Sequence, residues 1–244
     1  MPRDDRRRAE IVSTLAAVRG RLAAACAAAG RDVRELTLVA VTKTYPASDV
    51  ATLAQLGVLD VGESRDQEAA AKVAETAQLL RESGVDAELR WHFVGRIQSR
   101  KARSVAGYAS VVHSVDRPEL VALLADGVER AGRAPLEVFL QVSLDGDPDR
   151  GGVPRDRLAA LADTVAAEAR LRLRGVMAVP PLGSDADAAF ADLAGISAGL
   201  RTDHPEADAI SAGMSGDFEA AIRHGSTHVR VGTALLGQRP PVIS

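Results

Sequence analysis

The sequence is poor in cysteine and in aromatic residues: its 244 residues include one cysteine, and Phe, Trp and Tyr together make up 3%. The single cysteine, Cys26, excludes an intramolecular disulfide bond, and we expect a buried or semi-buried thiol in a helix. So few aromatic side chains offer no platform on which nucleic-acid bases could stack. The formal net charge of −3 gives no electrostatic reason to expect a nucleic acid or an anionic membrane as a partner.

Long apolar runs are also missing. No run reaches the roughly 18 residues typical of a transmembrane helix, and no signal-peptide pattern follows the first arginines. We therefore expect a cytoplasmic protein with no membrane partner. The five histidines lack the spacing of metal ligands, and one cysteine cannot complete a zinc set, so no metal is expected.

Short segments rich in β-branched residues alternate with amphipathic segments about eight times along the chain. The predicted strands are 36–42, 58–62, 89–94, 110–114, 137–142, 171–179, 209–211 and 228–231, and each is apolar on both faces. The clearest helical patterns between them are 65–81, 118–131, 154–169 and 185–201. Strands that are apolar on both faces are typical of a parallel sheet covered by helices.

This alternation predicts an α/β fold, a (β/α)₈ (TIM) barrel that spans residues 1–244 as one domain. An open doubly wound sheet is the competing architecture, but no Gly-x-Gly-x-x-Gly turn follows the first strand. An additional helix over residues 6–29 precedes the first strand. We expect this helix to plug or flank one end of the barrel.

Lys43 directly follows the first predicted strand, and chemistry in this fold takes place where the strands end. A lysine that enters a barrel mouth loses water, which favours the neutral amine and lets it attack an aldehyde. The alternative is a lysine that extends its ammonium group from the rim into solvent.

A phosphate site is predicted in the loops after strands seven and eight, where this fold usually has one. Residues 211–217, Ser-Ala-Gly-Met-Ser-Gly-Asp, join a short strand to a helix predicted to begin at Ser215. Gly232 and Thr233 follow the next strand. The alternatives are an ordinary N-cap at Ser215 and an ordinary turn at Gly232.

Arg230 lies within strand eight, and a buried arginine needs an acceptor because it keeps its charge. The alternatives are an ion pair with an acid such as Glu63 and a contact with the ring nitrogen of a ligand.

His92, which with Trp91 ends strand three, is interpreted as half of a hydrogen-bonded packing pair, with a general base as the alternative. Glu63 and Asp116 are interpreted as structural acids at strand ends.

Eight segments of the sequence resemble the pyridoxal phosphate homeostasis proteins and cover nearly the whole chain in order. They are residues 39–46 (VAVTKTYP), 62–68 (GESRDQE), 91–98 (WHFVGRIQ), 113–116 (HSVD), 173–178 (LRGVMA), 211–215 (SAGMS), 217–222 (DFEAAI) and 225–234 (GSTHVRVGTA). That family is similar in fold to the N-terminal barrel of alanine racemase. Its members bind pyridoxal 5′-phosphate (PLP) without an established catalytic turnover.

The resemblance implies a role for each candidate residue. Lys43 is implied as the lysine that forms a Schiff base with PLP, and Arg230 as the residue that faces the pyridine nitrogen. The implied phosphate cradle consists of Ser211, Gly213, Met214, Ser215, Gly232 and Thr233. The sequence departs from the family at Ser64, where an asparagine is usual, at Arg96, where a histidine is common, and at Gly216, where an acid is common.

Two classes of function follow: a monomeric carrier that supplies or buffers PLP, with PLP-dependent apoenzymes as candidate recipients, and a weak amino-acid racemase. A racemase needs a second acid or base opposite the lysine, which in the barrel racemases is a tyrosine from an additional domain. We expect no such domain here. Tyr108 is placed in a connection and Tyr45 lies close to Lys43, so the carrier is preferred. A Schiff-base aldolase would leave Arg230 unexplained.

Overall fold

Residues 3–237, which the computed structural model describes, contain a closed barrel of eight parallel strands in sequence order. The strands are β1 (Thr37–Val41), β2 (Asp60–Glu63), β3 (Arg90–Phe93), β4 (Val111–Val115), β5 (Leu136–Gln141), β6 (Leu171–Met177), β7 (Ala209–Ser211) and β8 (His228–Val231). Every predicted strand is confirmed to within two residues at each end. The barrel is confirmed over the open sheet because β8 pairs with β1, and this pairing closes the ring.

Nine α-helices accompany the strands within the same residues. They are α1 (Arg3–Ala28), α2 (Ala47–Gln55), α3 (Asp66–Glu82), α4 (Ala102–Tyr108), α5 (Pro118–Arg130), α6 (Leu158–Ala166), α7 (Ala186–Asp203), α8 (Phe218–Arg223) and α9 (Thr233–Leu236). The four predicted helices between strands correspond to α3, α5, α6 and α7. The prediction for α6 began early, because residues Arg155–Arg157 form a separate 3₁₀ turn.

Helix α1 packs along the side of the barrel, so the expectation that it would plug or flank one end is wrong. Its side chains Ile11, Leu15 and Val18 are buried in one cluster with Val229 and Val231, which are on the outer face of β8. Apolar side chains at spacings of three and four residues form one stripe of a helix. Helix α1 thus covers the outer surface of β8, where α9 has only four residues.

By length and composition alone, residues 5–28 of α1 could cross a membrane, contrary to our expectation that no segment would qualify. One-third (33%) of the most apolar window is buried inside the protein. Its buried side chains are the ones that cover β8.

The register of the strands places side chains either inside the barrel or against the helices. Val111, Phe139, Met177 and Ala209, from four adjacent strands, form a small buried cluster inside the barrel. Side chains of opposite parity, such as Val112 and Val138, join the larger core beneath the helices. Because side chains alternate along a strand, the residues of one parity line the interior from one end of the barrel to the other.

Candidate cofactor site

The carboxyl ends of β7, β8 and β1 are neighbours, and this arrangement brings the candidate residues to one end of the barrel. Arg230 pairs with Val39 in the register of β8 and β1. The N–H group of Arg230 donates to the carbonyl of Gly213 at 2.9 Å, which joins the loop after β7 to β8. Lys43 follows the end of β1 by two residues. The lysine and both predicted phosphate loops therefore surround one mouth, the end of the barrel at which enzymes of this architecture place their active sites.

Arg230 is the only one of these residues with a buried charge, and its side chain is held by oxygen atoms that carry no formal charge. Its Nη1 donates to the carbonyl and the hydroxyl of Ser211 at 2.8 and 2.6 Å, and its Nη2 donates to the carbonyl of Ala178 at 3.1 Å. Burial lowers the pKa of Arg230 to about 10, so the guanidinium stays charged at neutral pH. Within residues 3–237 no carboxylate forms an ion pair with it, although the charge of Asp217 acts to raise its pKa, and the alternative of a pair with Glu63 is wrong because Glu63 pairs with Lys72.

The loop between β7 and α8 requires glycine at position 213. Gly213 has a φ of +89°, and a Cβ there would lie 2.7 Å from the Cβ of Ala221 and 2.8 Å from the Cα of Phe218. Because real Cβ atoms do not approach other atoms so closely, no other residue can let the loop pack against α8 without a rearrangement.

Helix α8 begins at Phe218 and not at Ser215, so the predicted start was three residues early and Ser215 is not its N-cap. The carbonyl of Met214 accepts hydrogen bonds from the N–H groups of Asp217 and Phe218, which turns the chain before the helix begins. The Ser215 hydroxyl instead accepts from the N–H group of Ala234 at 3.3 Å. Ser215 therefore connects the loop after β7 with the loop after β8.

Several donors in these two loops have no acceptor within the described part of the chain. They are the backbone N–H groups of Ser215, Gly216 and Thr233. The side chains of Met214 and Thr233 are exposed at the mouth. In contrast, Ser211 is completely buried and its hydroxyl is engaged with Arg230, so it belongs to the wall of the site and its predicted role in the cradle stays a prediction.

The Lys43 side chain is exposed, so the expected loss of water is not observed. The backbone on both sides of it is nonetheless fixed. Thr44 has a φ of +72°, and its N–H group donates to the carboxylate of Glu68. Lys72 donates to the carbonyl of Thr42 at 2.8 Å, and the hydroxyl of Tyr45 donates to the carbonyl of Gly237 at 2.6 Å. The loop therefore holds the backbone of Lys43 in place and leaves its side-chain amine exposed to solvent.

Lys72 supports this loop from helix α3, a role that the sequence analysis missed. Its ammonium group is buried and lies 2.6 Å from Oε1 of Glu63, which also accepts from the hydroxyl of Thr42 at 2.7 Å. Burial raises the pKa of Glu63, although the bonds from Lys72 and Thr42 act against this rise. The only available signal was a lysine four residues after Glu68 in a helical pattern, which is also common on solvent-exposed faces.

Comparison with known proteins assigns the chain to a family. The model for the N-terminal domain of alanine racemase matches residues 14–240. The pyridoxal phosphate homeostasis protein of Mycobacterium leprae is 49% identical over 95% of this chain and 93% of its own length. The protein of the same name from Escherichia coli K12 is 40% identical over 94% and 97%.

The chain belongs to the pyridoxal phosphate homeostasis protein family. Among solved structures, PipY of Synechococcus elongatus with PLP bound has a TM-score of 0.78 and 31% identity, and the match covers 93% of this chain and 100% of PipY. The family predicted from the sequence segments and the fold similar to the N-terminal domain of alanine racemase are both confirmed.

Three positions at which we expect this sequence to depart from the family pattern, residues 64, 96 and 216, follow the strands β2, β3 and β7 at the mouth. Ser64 follows β2 and is half-buried, and its carbonyl oxygen lies only 2.4 Å from the position of a Cβ on Gly95. Arg96 is exposed and lines a surface cavity of about 480 Å³ with Asp116, which is paired with Arg117 at 2.6 Å. Gly216 is exposed in the loop before α8.

Most remaining candidates have structural roles. His92 is buried and hydrogen-bonded, as predicted, and its partners are His113 and Asp60, while Trp91 points outwards and packs against Val50 and Val61. Cys26 is buried in α1, as predicted. No cluster of three or more potential metal ligands occurs within the described residues.

Proposed function

We propose that this protein binds PLP at the mouth of the barrel, with Lys43 as the Schiff-base lysine, and that it supplies or buffers PLP in the cell. The observation that carries this proposal is the buried guanidinium of Arg230 with no carboxylate paired to it. A buried guanidinium has five N–H donors and Arg230 uses only some of them, so this site favours a ligand that turns a hydrogen-bond acceptor towards it. PLP has such an acceptor in its ring nitrogen, and it also carries an anionic phosphate group for the donors of the neighbouring loops.

The donors at the mouth fit the parts of PLP. A guanidinium has five N–H groups, and the three hydrogen bonds of Arg230 leave others to face a ring nitrogen. The N–H groups of Ser215, Gly216 and Thr233 and the Thr233 hydroxyl suit a phosphate, and Gly213 and Gly232 let backbone approach it closely. The exposed amine of Lys43 can reach an aldehyde carbon.

The residues around the mouth favour binding of PLP without catalysis on amino acids. Bound PLP supplies an electrophilic carbon and an aromatic ring that withdraws electrons. A guanidinium next to the pyridine nitrogen disfavours its protonation, which weakens that withdrawal. The two tyrosines of the sequence have other surroundings: Tyr45 donates to the Gly237 carbonyl, and Tyr108 packs on the outer side of the barrel near Trp91.

The chain is well suited to a direct test, because it contains only three lysines, Lys43, Lys72 and Lys101. Purified protein would be incubated with PLP, reduced with borohydride, digested and mapped by mass spectrometry. We expect the reduced adduct on Lys43 alone, since Lys72 is buried against Glu63 and Lys101 is paired with Asp66 at 3.1 Å.

Two variants complete this experiment. Lys43→Ala should lose the adduct and keep part of its affinity for PLP through the phosphate contacts, whereas the matched control Lys101→Met should behave as the wild type. An adduct on Lys72 or Lys101 in the wild type, or no adduct at all, would refute the assignment.

We further infer that the protein acts as a monomer in the cytoplasm and that PLP-dependent apoenzymes are its recipients. In support, only six large apolar side chains are exposed among the described residues, namely Val12, Val33, Leu59, Val179, Leu182 and Met214. Light scattering gives the oligomeric state. Transfer of PLP to an apoenzyme, and the chiral purity of L-alanine incubated in deuterated buffer, separate a carrier from a racemase. Racemisation at about 1 s⁻¹ or faster would establish the enzyme instead.

A further inference from the structure

A row of polar side chains runs through the barrel from its amino-terminal end to Arg230. Asp60, the first residue of β2, lies 2.8 Å from Nε2 of His92, whose Nδ1 lies 2.8 Å from Nε2 of His113. Nδ1 of His113 lies 2.8 Å from the hydroxyl of Ser211, which accepts from Arg230 at 2.6 Å. We call Asp60, His92, His113 and Ser211 the interior relay.

The chemistry of each group fixes the direction of every hydrogen bond in the interior relay. An ionised carboxylate only accepts, so Nε2 of His92 donates to Asp60. A neutral imidazole then accepts at its other nitrogen, so Nε2 of His113 donates to Nδ1 of His92, and the hydroxyl of Ser211 donates to Nδ1 of His113. Because Ser211 has a single proton, its oxygen is left to accept from Arg230. All donors therefore point away from Arg230 and towards Asp60.

The surroundings support these protonation states. Burial acts to raise the pKa of Asp60, but the bond from His92 and the nearby cations hold it below its usual value. Burial lowers the pKa of His92, and it lowers that of His113 well below its usual range. His113 also stacks on Phe139 with a centroid distance of 4.7 Å. The centre of the relay is therefore buried and holds two neutral imidazoles.

From this arrangement we propose that Asp60 is a positioning residue which, through His92, His113 and Ser211, fixes the orientation of the Arg230 guanidinium at the opposite end of the barrel. Without an acceptor at His113, the Ser211 hydroxyl could turn its proton towards the guanidinium and lose its role as acceptor. The relay prevents this rotation, so Arg230 keeps two hydrogen bonds to one residue and a defined plane. The effect on PLP rests on the function proposed above, whereas the tautomers are a property of the protein alone.

The first test needs neither a variant nor PLP. Nitrogen-15 chemical shifts of the imidazole rings report which nitrogen carries the proton, and the sequence has only five histidines to assign. At neutral pH we expect both His92 and His113 to be protonated on Nε2 alone. A proton on Nδ1 of either ring, or a doubly protonated ring, would overturn the proposal whether or not the protein binds PLP.

The second test replaces the acceptor at the far end of the relay. Asp60→Asn keeps the size of the side chain but lets the amide donate to His92, which releases both rings to the opposite tautomer, as in other carboxylate–histidine pairs. We expect appearance of Nδ1 protonation on His113 and about tenfold weaker PLP binding, the cost of one weakened hydrogen bond to a buried charge. Asp60→Glu keeps a carboxylate and should restore the wild-type tautomers at least in part.

Glu137→Gln is the matched control, because Glu137 is at the same end of the barrel and pairs at 2.8 Å with Arg90, which also lies 3.5 Å from Asp60, whereas Glu137 makes no hydrogen bond to the four residues of the relay. It should leave the tautomers of His92 and His113 and the affinity for PLP unchanged. Wild-type affinity in Asp60→Asn, or an equal loss in Glu137→Gln, would refute the positioning role. Failure of the wild type to bind PLP would refute the proposed function and leave the tautomer result standing.

Discussion

Replacement of Lys72 by methionine should strongly destabilise the protein, because it leaves a carboxylate unpaired in the interior. Glu63 is 1% exposed, and its Oε2 already has no hydrogen-bond partner within the described residues. In Lys72→Met, Oε1 keeps only the hydroxyl of Thr42. Removal of one partner of a buried ion pair typically costs about 3 to 5 kcal/mol in the free energy of unfolding.

Urea unfolding followed by circular dichroism would measure this loss, and two further variants identify its cause. In Glu63→Gln/Lys72→Met the remaining charge is also removed, so we expect most of the stability to return. Lys101→Met removes a lysine whose side chain is 27% exposed, and its partner Asp66 keeps a hydrogen bond from the hydroxyl of Ser104 at 2.7 Å, so this variant should lose less stability than Lys72→Met.

The loss in Lys72→Met should also depend on pH. Burial raises the pKa of Glu63 in the folded protein, so the folded state binds a proton more readily than the unfolded state. Stability of the variant should therefore increase as the pH falls through the folded pKa, and the difference from wild type should be smaller at pH 5 than at pH 8. A loss below about 1 kcal/mol, or a loss that the double variant does not relieve, would show that Lys72 does not compensate Glu63.

Three further predictions concern the mouth and the interior. Gly213→Ala should destabilise the protein by roughly 1 to 3 kcal/mol in urea unfolding, since the φ of +89° and the 2.7 Å contact both oppose a methyl group. A neutral result would contradict this account of the loop. Thr233→Ala and Ser215→Ala should weaken PLP binding about ten- to a hundredfold in a titration followed by absorbance, and equally tight binding of pyridoxal and PLP would exclude the phosphate cradle. Burial lowers the pKa of His228 to about 3, far below the unfolded value, so protonation of the unfolded state should reduce stability as the pH falls below about 6.5. His228→Asn should reduce that slope by up to about 1.4 kcal/mol per pH unit, and an unchanged slope would argue against a buried neutral ring.

The strands could be predicted because burial on both faces leaves a continuous apolar signal. Residues 137–142 and 228–231 were recognisable in this way although they include Glu137 and Arg230. The position of α1 could not be predicted, because an amphipathic helix before the first strand can bury its apolar stripe at an end or along the side. Its place depends on the short α9, which leaves β8 uncovered.

The candidate site was predictable in part. Arg230 was identifiable because a cation within a strand needs a specific environment, whereas Gly213 was implied only by the resemblance to the family. The interior relay was not predictable, since its four residues come from β2, β3, β4 and β7 and meet only through the register of the barrel. The hydrogen bonds of the Ser211 hydroxyl to His113 and Arg230 depend on the same register, so the sequence around Ser211 does not predict them.

The pairing of the first strand with the last determines when a working site can exist during synthesis. Lys43 follows β1 and Arg230 lies in β8, and the two strands are joined side by side only after nearly all of the barrel has been made. Contacts between such distant parts of a chain form slowly, and incomplete chains expose apolar surface in the meantime. A nascent chain on the ribosome therefore contains Lys43 long before it contains Arg230. We expect PLP to bind only after β8 has left the ribosome and paired with β1. PLP binding would then indicate that the barrel has finished folding.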